Sequence, residues 1–250
     1  MAIDVGADGI WSRNQLLACL SDQDIEALQP HMQRVTLVLE QTLHEPGEAM
    51  DHVYFIEDGI ASLTAATQDN GSVEVGLTSR EGMIGVSAVL NSDAIAVHRA
   101  VVQVPGSAIR MRTTALRDAL ERSAPFRDRC LRFAHYLLVQ VSQTAACNAR
   151  HELPERLARW LLVCWNRIDS DELPMRQEFL ALMLGVRRPG VSVVANTLQS
   201  SGAIRQSRGR MTLLDRALLE GEACSCYRFI ENSRQQILGS PEGRSVRHET

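Results

Sequence analysis

The sequence predicts an α+β chain with three parts. A β-roll of jelly-roll type comes first, then a long helix, then two short helices backed by a hairpin. Three patterns carry this. Up to position 112, short runs of β-type residues are broken by turn residues such as Pro46-Gly47, Asp58-Gly59 and Pro105-Gly106, as in a small roll or barrel rather than a βαβ sheet. From Phe126 an apolar stripe recurs at helical spacing for about six turns. Near the C-terminal third, Phe179–Val186 and Arg188–Ser200 read as two helices around a tight corner at Gly185.

In chain order, residues 12–32 are helical in pattern, with Leu16, Leu17, Leu20, Ile25 and Leu28 at helical spacing and Ser21 placed to cap Asp22-Gln23-Asp24. From Gln33 the period becomes two, with Val35, Leu37 and Leu39 alternating. Further strands are expected at Val53–Ile56, Ile60–Leu63, Val73–Leu77, Ala100–Val104 and Ala108–Met111, with another turn at Asp69-Asn70-Gly71. Leu116 and Leu120 belong to a first helical piece. After Pro125, the residues Phe126, Cys130, Phe133, Ala134, Leu137 and Val141, joined by Leu131 and Leu138, form a stripe wide enough to lie on the roll and also to meet a second copy. A helix from Pro154 to Ile168 turns Leu157, Trp160, Leu161 and Cys164 inward, and the tail after Gly239 is polar. These segments divide the chain into a roll (1–112), a connecting and dimerisation helix (113–149) and a C-terminal domain (150–250).

The helical pair has the features of a helix-turn-helix. Ala181 allows close approach, Gly185 supplies the corner, and Pro189 suits the first turn of the second helix, where its missing N–H has no partner to lose. Ser201-Gly202 ends that helix. Ala203-Ile204, the polar tip Arg205–Arg210 and Met211–Leu214 then read as a β-hairpin wing, which makes this a winged helix-turn-helix. Between Arg187 and Arg210 lie five arginines and no acid.

Charge follows the same division. Net charge is −4, but residues 1–112 carry 6 Arg against 15 acids, whereas 176–250 carry 11 Arg against 7 acids. An acidic front and a basic rear point to different partners, with nucleic acid suited to the rear. All 26 basic residues are Arg. No apolar run approaches a membrane span, and Met1–Trp11 lacks the order of a signal peptide, so a cytoplasmic protein with no membrane partner is expected. The six cysteines are scattered through apolar segments, as reduced thiols are.

This order of segments resembles the Crp/Fnr transcription regulators. The resemblance rests on Gly47, Asp58-Gly59, Gly82–Gly85, Asn148–His151, Arg156–Leu162, the helix-turn-helix, and Ser207–Arg210 with Leu214-Asp215, and covers roughly residues 12–228. It implies a cyclic-nucleotide-binding-type β-roll, a dimer helix, a winged DNA reader, and RNA polymerase as a candidate partner. In cyclic-AMP-binding members a Gly-Glu-Leu, followed about ten residues on by Arg-Ser, holds the ribose through the Glu and the cyclic phosphate through the Arg and Ser. Here the Gly is Gly85, the Glu position is Val86, and Arg-Ser falls on Ala96-Val97. A cyclic phosphate would lack its countercharge, so cyclic AMP is not the expected effector. The candidate pocket is Gly85, Val86, Ser87, Val97, His98 and Arg99, for an effector the sequence does not identify. Iron–sulfur members use clustered N-terminal cysteines, whereas here only Cys19 precedes residue 130. Cys224-Ser225-Cys226 reads as two small buried residues under the wing, with a metal or redox site shared with Cys164 as the alternative. His31, His44, His52, His135 and His151 show no metal-ligand spacing, so no metal or other cofactor is expected.

The resulting expectation is a homodimeric, sequence-specific regulator of double-stranded DNA. Arg187, Arg188, Ser192 and Asn196 face the major groove, and Arg205, Ser207, Arg208 and Arg210 grip phosphates. Pro189 and Val193 occupy the positions where cyclic-AMP-type members carry a base-reading Glu and a second Arg, so the site read should differ. The competing reading is a ligand-sensing or scaffold protein whose reader no longer binds DNA. The roll offers no paired carboxylates, no Ser/His/Asp order and no phosphate-cradling loop before a helix, so catalysis is not expected.

Overall fold

The computed structural model describes residues 11–67, 71–91 and 95–239. The expectations placed on Met1–Ile10, on Asp69-Asn70 and on the tail beyond Gly239 lie outside these residues. The elements in order are α1 (Asp22–Leu28), β1 (Met32–Leu37), β2 (Thr42–His44), β3 (His52–Ala66), β4 (Ser72–Thr78), β5 (Met83–Ile84), α2 (Ser87–Leu90), β6 (Arg99–Arg112), α3 (Thr113–Arg122) and α4 (Ala124–Arg150). They continue with α5 (Leu153–Trp165), β7 (Glu172–Pro174), α6 (Gln177–Leu184), α7 (Arg188–Ser200), β8 (Ile204–Ser207), β9 (Arg210–Leu213), α8 (Arg216–Glu222) and α9 (Cys226–Leu238). None of the described helices is long and apolar enough to cross a membrane. The chain forms two compact units. Among the described residues, one takes 11–61, 78–136 and 235–239; the other takes 62–77 and 137–234.

In the first unit, Ser21 caps α1 as its sequence position indicates. Its hydroxyl accepts the Asp24 N–H at 3.1 Å, and the Asp24 carboxylate turns back to the cap in a capping box. The sheet runs β1-β6-β3-β4, with β2 on β6 and β5 on β3. Strand β1 pairs antiparallel with β6 from Met32↔Met111 to Leu37↔Gly106.

Two separations expected from the sequence are absent. Asp58-Gly59 and Pro105-Gly106 do not end strands; each lies inside one long strand, β3 or β6. The reason is steric. A Cβ on Gly59 would stand 2.4 Å from the Val104 carbonyl oxygen, and one on Gly106 would stand 2.1 Å from that of Asp58. The glycines let two backbones nest where they cross, so here they permit close approach instead of punctuating a turn.

The core of this unit gathers Leu16, Leu17, Phe55, Met83, Ile109, Met111, Leu116, Phe126, Cys130, Phe133 and Tyr136. The Phe55 and Phe126 rings lie 6.2 Å apart. Buried Asn14 ties the N-terminal segment down, its amide donating to the Ile56 and Gly82 carbonyls at 2.8 and 2.7 Å.

This core corrects the expected dimer face. Phe126, Cys130 and Phe133 have no exposure, and Leu137 has 6%, so the chain itself already covers them. Helical spacing identifies a stripe but not which flank of it faces inward. The large apolar side chains that α4 leaves exposed are Leu131 and Leu138, at 42% and 65% exposure, with Ala134 and Val141 half-buried beside them.

In the second unit α5 is buried from Leu157 to Trp165. Its Trp160 indole N–H donates to Glu74 Oε1 at 2.9 Å, while Glu74 Oε2 accepts from the Ser62 hydroxyl at 2.7 Å. Just past the end of α5, the buried pair Arg167–Glu231 closes at 3.2 Å. The two guanidiniums of Arg167 and Arg234 outweigh burial and hold the Glu231 carboxyl below its usual range.

Candidate nucleic-acid interface

Helix α6 closes on Gly185, which adopts φ 64 and turns its N–H back to the Ala181 and Leu182 carbonyls. Arg187 then sits in extended backbone as the cap of α7, and Pro189 falls in the first turn. Helix α7 buries Val191, Val194, Ala195 and Leu198, while α6 buries Leu180, Ala181, Met183 and Leu184. The opposite face of α7 exposes Arg187, Arg188, Pro189, Asn196 and Thr197, with Val193 at 66% exposure.

Behind it, β8 and β9 form the wing, paired from Ile204↔Leu213 to Ser207↔Arg210, with Arg208-Gly209 at the tip and Gly209 at φ 69. Strand β7, of which the sequence gives no sign, pairs with β9 and makes the wing three-stranded. Only three residues long and carrying Pro174, β7 has too little alternation to signal a strand.

The polar groups on α6, α7 and the wing are already joined. The Ser192 hydroxyl donates to Gln177 Oε1 at 2.5 Å, the Gln177 amide donates to Gln206 Oε1 at 2.8 Å, and the Gln206 amide donates to Asn196 Oδ1 at 3.2 Å. Gln199 Oε1 accepts the Gln206 backbone N–H at 2.7 Å. Gln177 and Gln206 thus set the orientation of Ser192 and Asn196. No sequence signal marks either glutamine, because they lie 29 residues apart and meet only through the fold.

The arginines remain at the surface. Arg188 meets Glu178 at 3.1 Å and Arg210 meets Glu172 at 3.0 Å, with both side chains of each pair well exposed. Pairs of this kind contribute about 0–1 kcal/mol and open readily to a better partner. Arg205, Ser207 and Arg208 are exposed too. Between the starts of α6 and α7 and the wing lies a cleft of about 410 Å³, bordered by Arg176, Arg188, Arg208 and Arg210 with Glu178 on its wall.

In the roll, the residues expected from sequence to form a ligand pocket do not converge. Gly85 is buried at φ 100, and Val86 and Ser87 are half-buried. Val97 is 68% exposed, and exposed Arg99 is held by Glu45 at 3.2 Å and by the Thr42 hydroxyl at 2.8 Å. His98 is half-buried, and burial lowers its pKa. The cavity next to them, about 180 Å³, is instead lined by His44, Glu45, Glu48, Asp51, His52 and Tyr54 among others. Burial also lowers the pKa of His44, whose Nε2 lies 2.8 Å from the His52 carbonyl.

Cys224 and Cys226 are buried, but beside the C-terminal end of α4 and not under the wing. They cluster with Cys147 and His151, and Cys164 is not in the group. His151 therefore has thiol neighbours that its local spacing could not reveal, since two of them are supplied from a segment more than 70 residues away.

Two family profiles match the sequence: a cyclic nucleotide-binding domain over residues 34–123 and a Crp-like helix-turn-helix domain over residues 155–222. Comparison with curated proteins gives no match. Among solved structures, FixK2 from Bradyrhizobium japonicum aligns with a TM-score of 0.67 at 15% identity, over 78% of this chain and 98% of its own. A CRP-family transcriptional regulator from Thermus thermophilus gives 0.62 at 22% identity, over 76% of this chain and 96% of its own. The c-di-GMP-responsive global regulator CLP from Xanthomonas campestris gives 0.64 at 16% identity, over 78% and 100%. At these identities the likenesses establish the fold.

Proposed function

This chain belongs to the Crp/Fnr family of transcription regulators, and from that premise we propose that it acts as a homodimer reading a near-palindromic site in double-stranded DNA, with α7 in the major groove. The observation that carries this reading is the outward face of α7, where Arg187, Arg188, Val193 and Asn196 stand exposed. Arg188 reads guanine and Asn196 adenine, the pairings that match their donors and acceptors. Val193 leaves apolar surface in water with no packing reason, and it suits the methyl group of thymine. Arg205, Ser207, Arg208 and Arg210 on the wing hold phosphates and fix register.

A base-reading arginine and a phosphate-gripping arginine should fail differently. Arg188→Ala is expected to weaken specific binding by ~1–3 kcal/mol and to relax one base position, while Arg208→Ala weakens specific and random duplex alike. Gel shifts on both duplexes, across a salt series, separate the two behaviours. Equal losses on specific and random DNA for both variants would refute the assignment. If the wild-type protein showed no salt-dependent retention on random duplex at all, the scaffold reading would replace this one.

The effector in this reading is not cyclic AMP. An anionic phosphate entering the roll cavity would meet Glu45, Glu48 and Asp51, with no arginine among the described lining residues. At about 180 Å³ the cavity is also below the ~300–1,000 Å³ usual for bound small molecules. Thermal unfolding with millimolar cyclic AMP is expected to show no shift; a concentration-dependent rise in Tm would overturn this.

A further inference from the structure

The last turn of α4 carries Cys147 and His151 follows it directly, four residues on and so on the same face. Cys224, in the link after α8, and Cys226, the first residue of α9, come against that face. The three sulfurs and one imidazole nitrogen all lie within 4.8 Å of one another. Cys147 Sγ is 3.5 Å from Cys224 Sγ, and Cys226 Sγ is 3.5 Å from His151 Nδ1. A tetrahedral ion with metal–sulfur bonds of about 2.3 Å places its sulfurs about 3.8 Å apart, so no pair here has to close by more than about 1 Å. We propose that Cys147, His151, Cys224 and Cys226 form a Cys₃His site for a thiophilic divalent cation, zinc being the first candidate.

Four features of the surroundings suit that ion. The set is complete, with four N/S donors and no carboxylate or open position among them, as in structural zinc sites. The three cysteines are buried and His151 is partly exposed, which leaves an entry path. The Gln143 amide, one turn before Cys147, donates to Cys226 Sγ at 3.0 Å, the outer hydrogen bond a metal-bound thiolate wants. Finally, three thiolates and a neutral imidazole around a divalent ion carry one net negative charge. Arg156 and Arg159 both act electrostatically on Cys147, and the Arg159 side chain is buried with its Nε unpartnered.

Binding would release three thiol protons, one from each cysteine, and leave the imidazole neutral with Nδ1 on the metal. Because those protons must leave for the ion to bind, affinity should rise with pH. The bound ion would pin the end of α4 to the first turn of α9, within the unit that carries the reader.

The test uses full-length protein, reduced and stripped with chelator, then titrated with Co(II). The expected result is one ion per chain, with thiolate-to-cobalt charge-transfer absorption, the intense visible bands of tetrahedral cobalt, and bleaching of both by Zn(II). Cys226→Ser and His151→Ala should each weaken binding by about tenfold or more, and Gln143→Leu by ~10-fold, while exposed Cys19→Ser leaves it unchanged. Absence of the charge-transfer band on wild-type protein with native circular dichroism would overturn the proposal. So would bands that survive unchanged in both Cys226→Ser and His151→Ala, or a Cys147–Cys224 disulfide that persists under the reducing conditions and excludes the ion.

Discussion

In the homodimer proposed above, Leu138→Arg is expected to give monomers and to lower affinity for the specific duplex by about 10³-fold or more, the gap between two-headed specific binding and non-specific contact. Leu138 is 65% exposed on α4, and Leu131, seven residues earlier, is the same position of a heptad. Two copies joined along this line bury both leucines with the half-buried Ala134 and Val141, which offsets the cost of ordering the interface. A guanidinium at position 138 would face its own copy in the seam, where two like charges with no carboxylate partner cannot be desolvated cheaply. Because Leu138 is not part of the chain's own core, the variant should keep its native circular dichroism, which separates lost assembly from lost folding. Light scattering reads the mass, expected to fall from twice 27.7 kDa to 27.7 kDa, and gel shifts read the affinity. A variant that stays dimeric with an unchanged shift would place the interface elsewhere on the surface.

What can and cannot be read from sequence follows from how local each signal is. Helix α7 is legible to the residue, because Gly185, Pro189 and Ser201-Gly202 mark its ends by rules that act within one turn. The cap at Ser21 is legible for the same reason. The glycines at 59 and 106 mislead because a glycine needed for close backbone approach looks identical to one that closes a turn. The stripe on α4 shows its period but not its phase, so it offers Phe126, Cys130 and Phe133 to a partner when they fill the chain's own core. The network joining Ser192 to Asn196, and the grouping of Cys147 with Cys224, depend on contacts between segments with no shared pattern.

Glu74 shows the same limit in energetic form, and it should make stability depend on pH near neutrality. Alternation in Val73-Glu74-Val75 suggests valines inward, yet Glu74 is 5% exposed and the valines are half-exposed. Burial raises its carboxyl from 4.5 to about 7, opposed by hydrogen bonds from Ser62 and Trp160 and by the charges of Arg159 and Arg167. The folded pKa lies above the unfolded one, so the folded state holds a proton that the unfolded state has released. This contribution is therefore fully present below about pH 4.5 and is lost as pH rises through 7. The raised pKa corresponds to about 3 kcal/mol between the two limits. Glu74→Gln keeps an acceptor for Trp160 and removes the titration, so its stability should match wild type near pH 4 and exceed it by roughly 3 kcal/mol near pH 8. Trp160→Phe should move the upper end of the transition to higher pH. It deletes a hydrogen bond that favours the ionised form, so the folded carboxyl rises further and the loss that starts at the unfolded value continues to higher pH. Urea unfolding at a series of pH values measures all three proteins. Parallel wild-type and Glu74→Gln profiles would show that Glu74 stays ionised in its buried site, held there by Arg159 and Arg167.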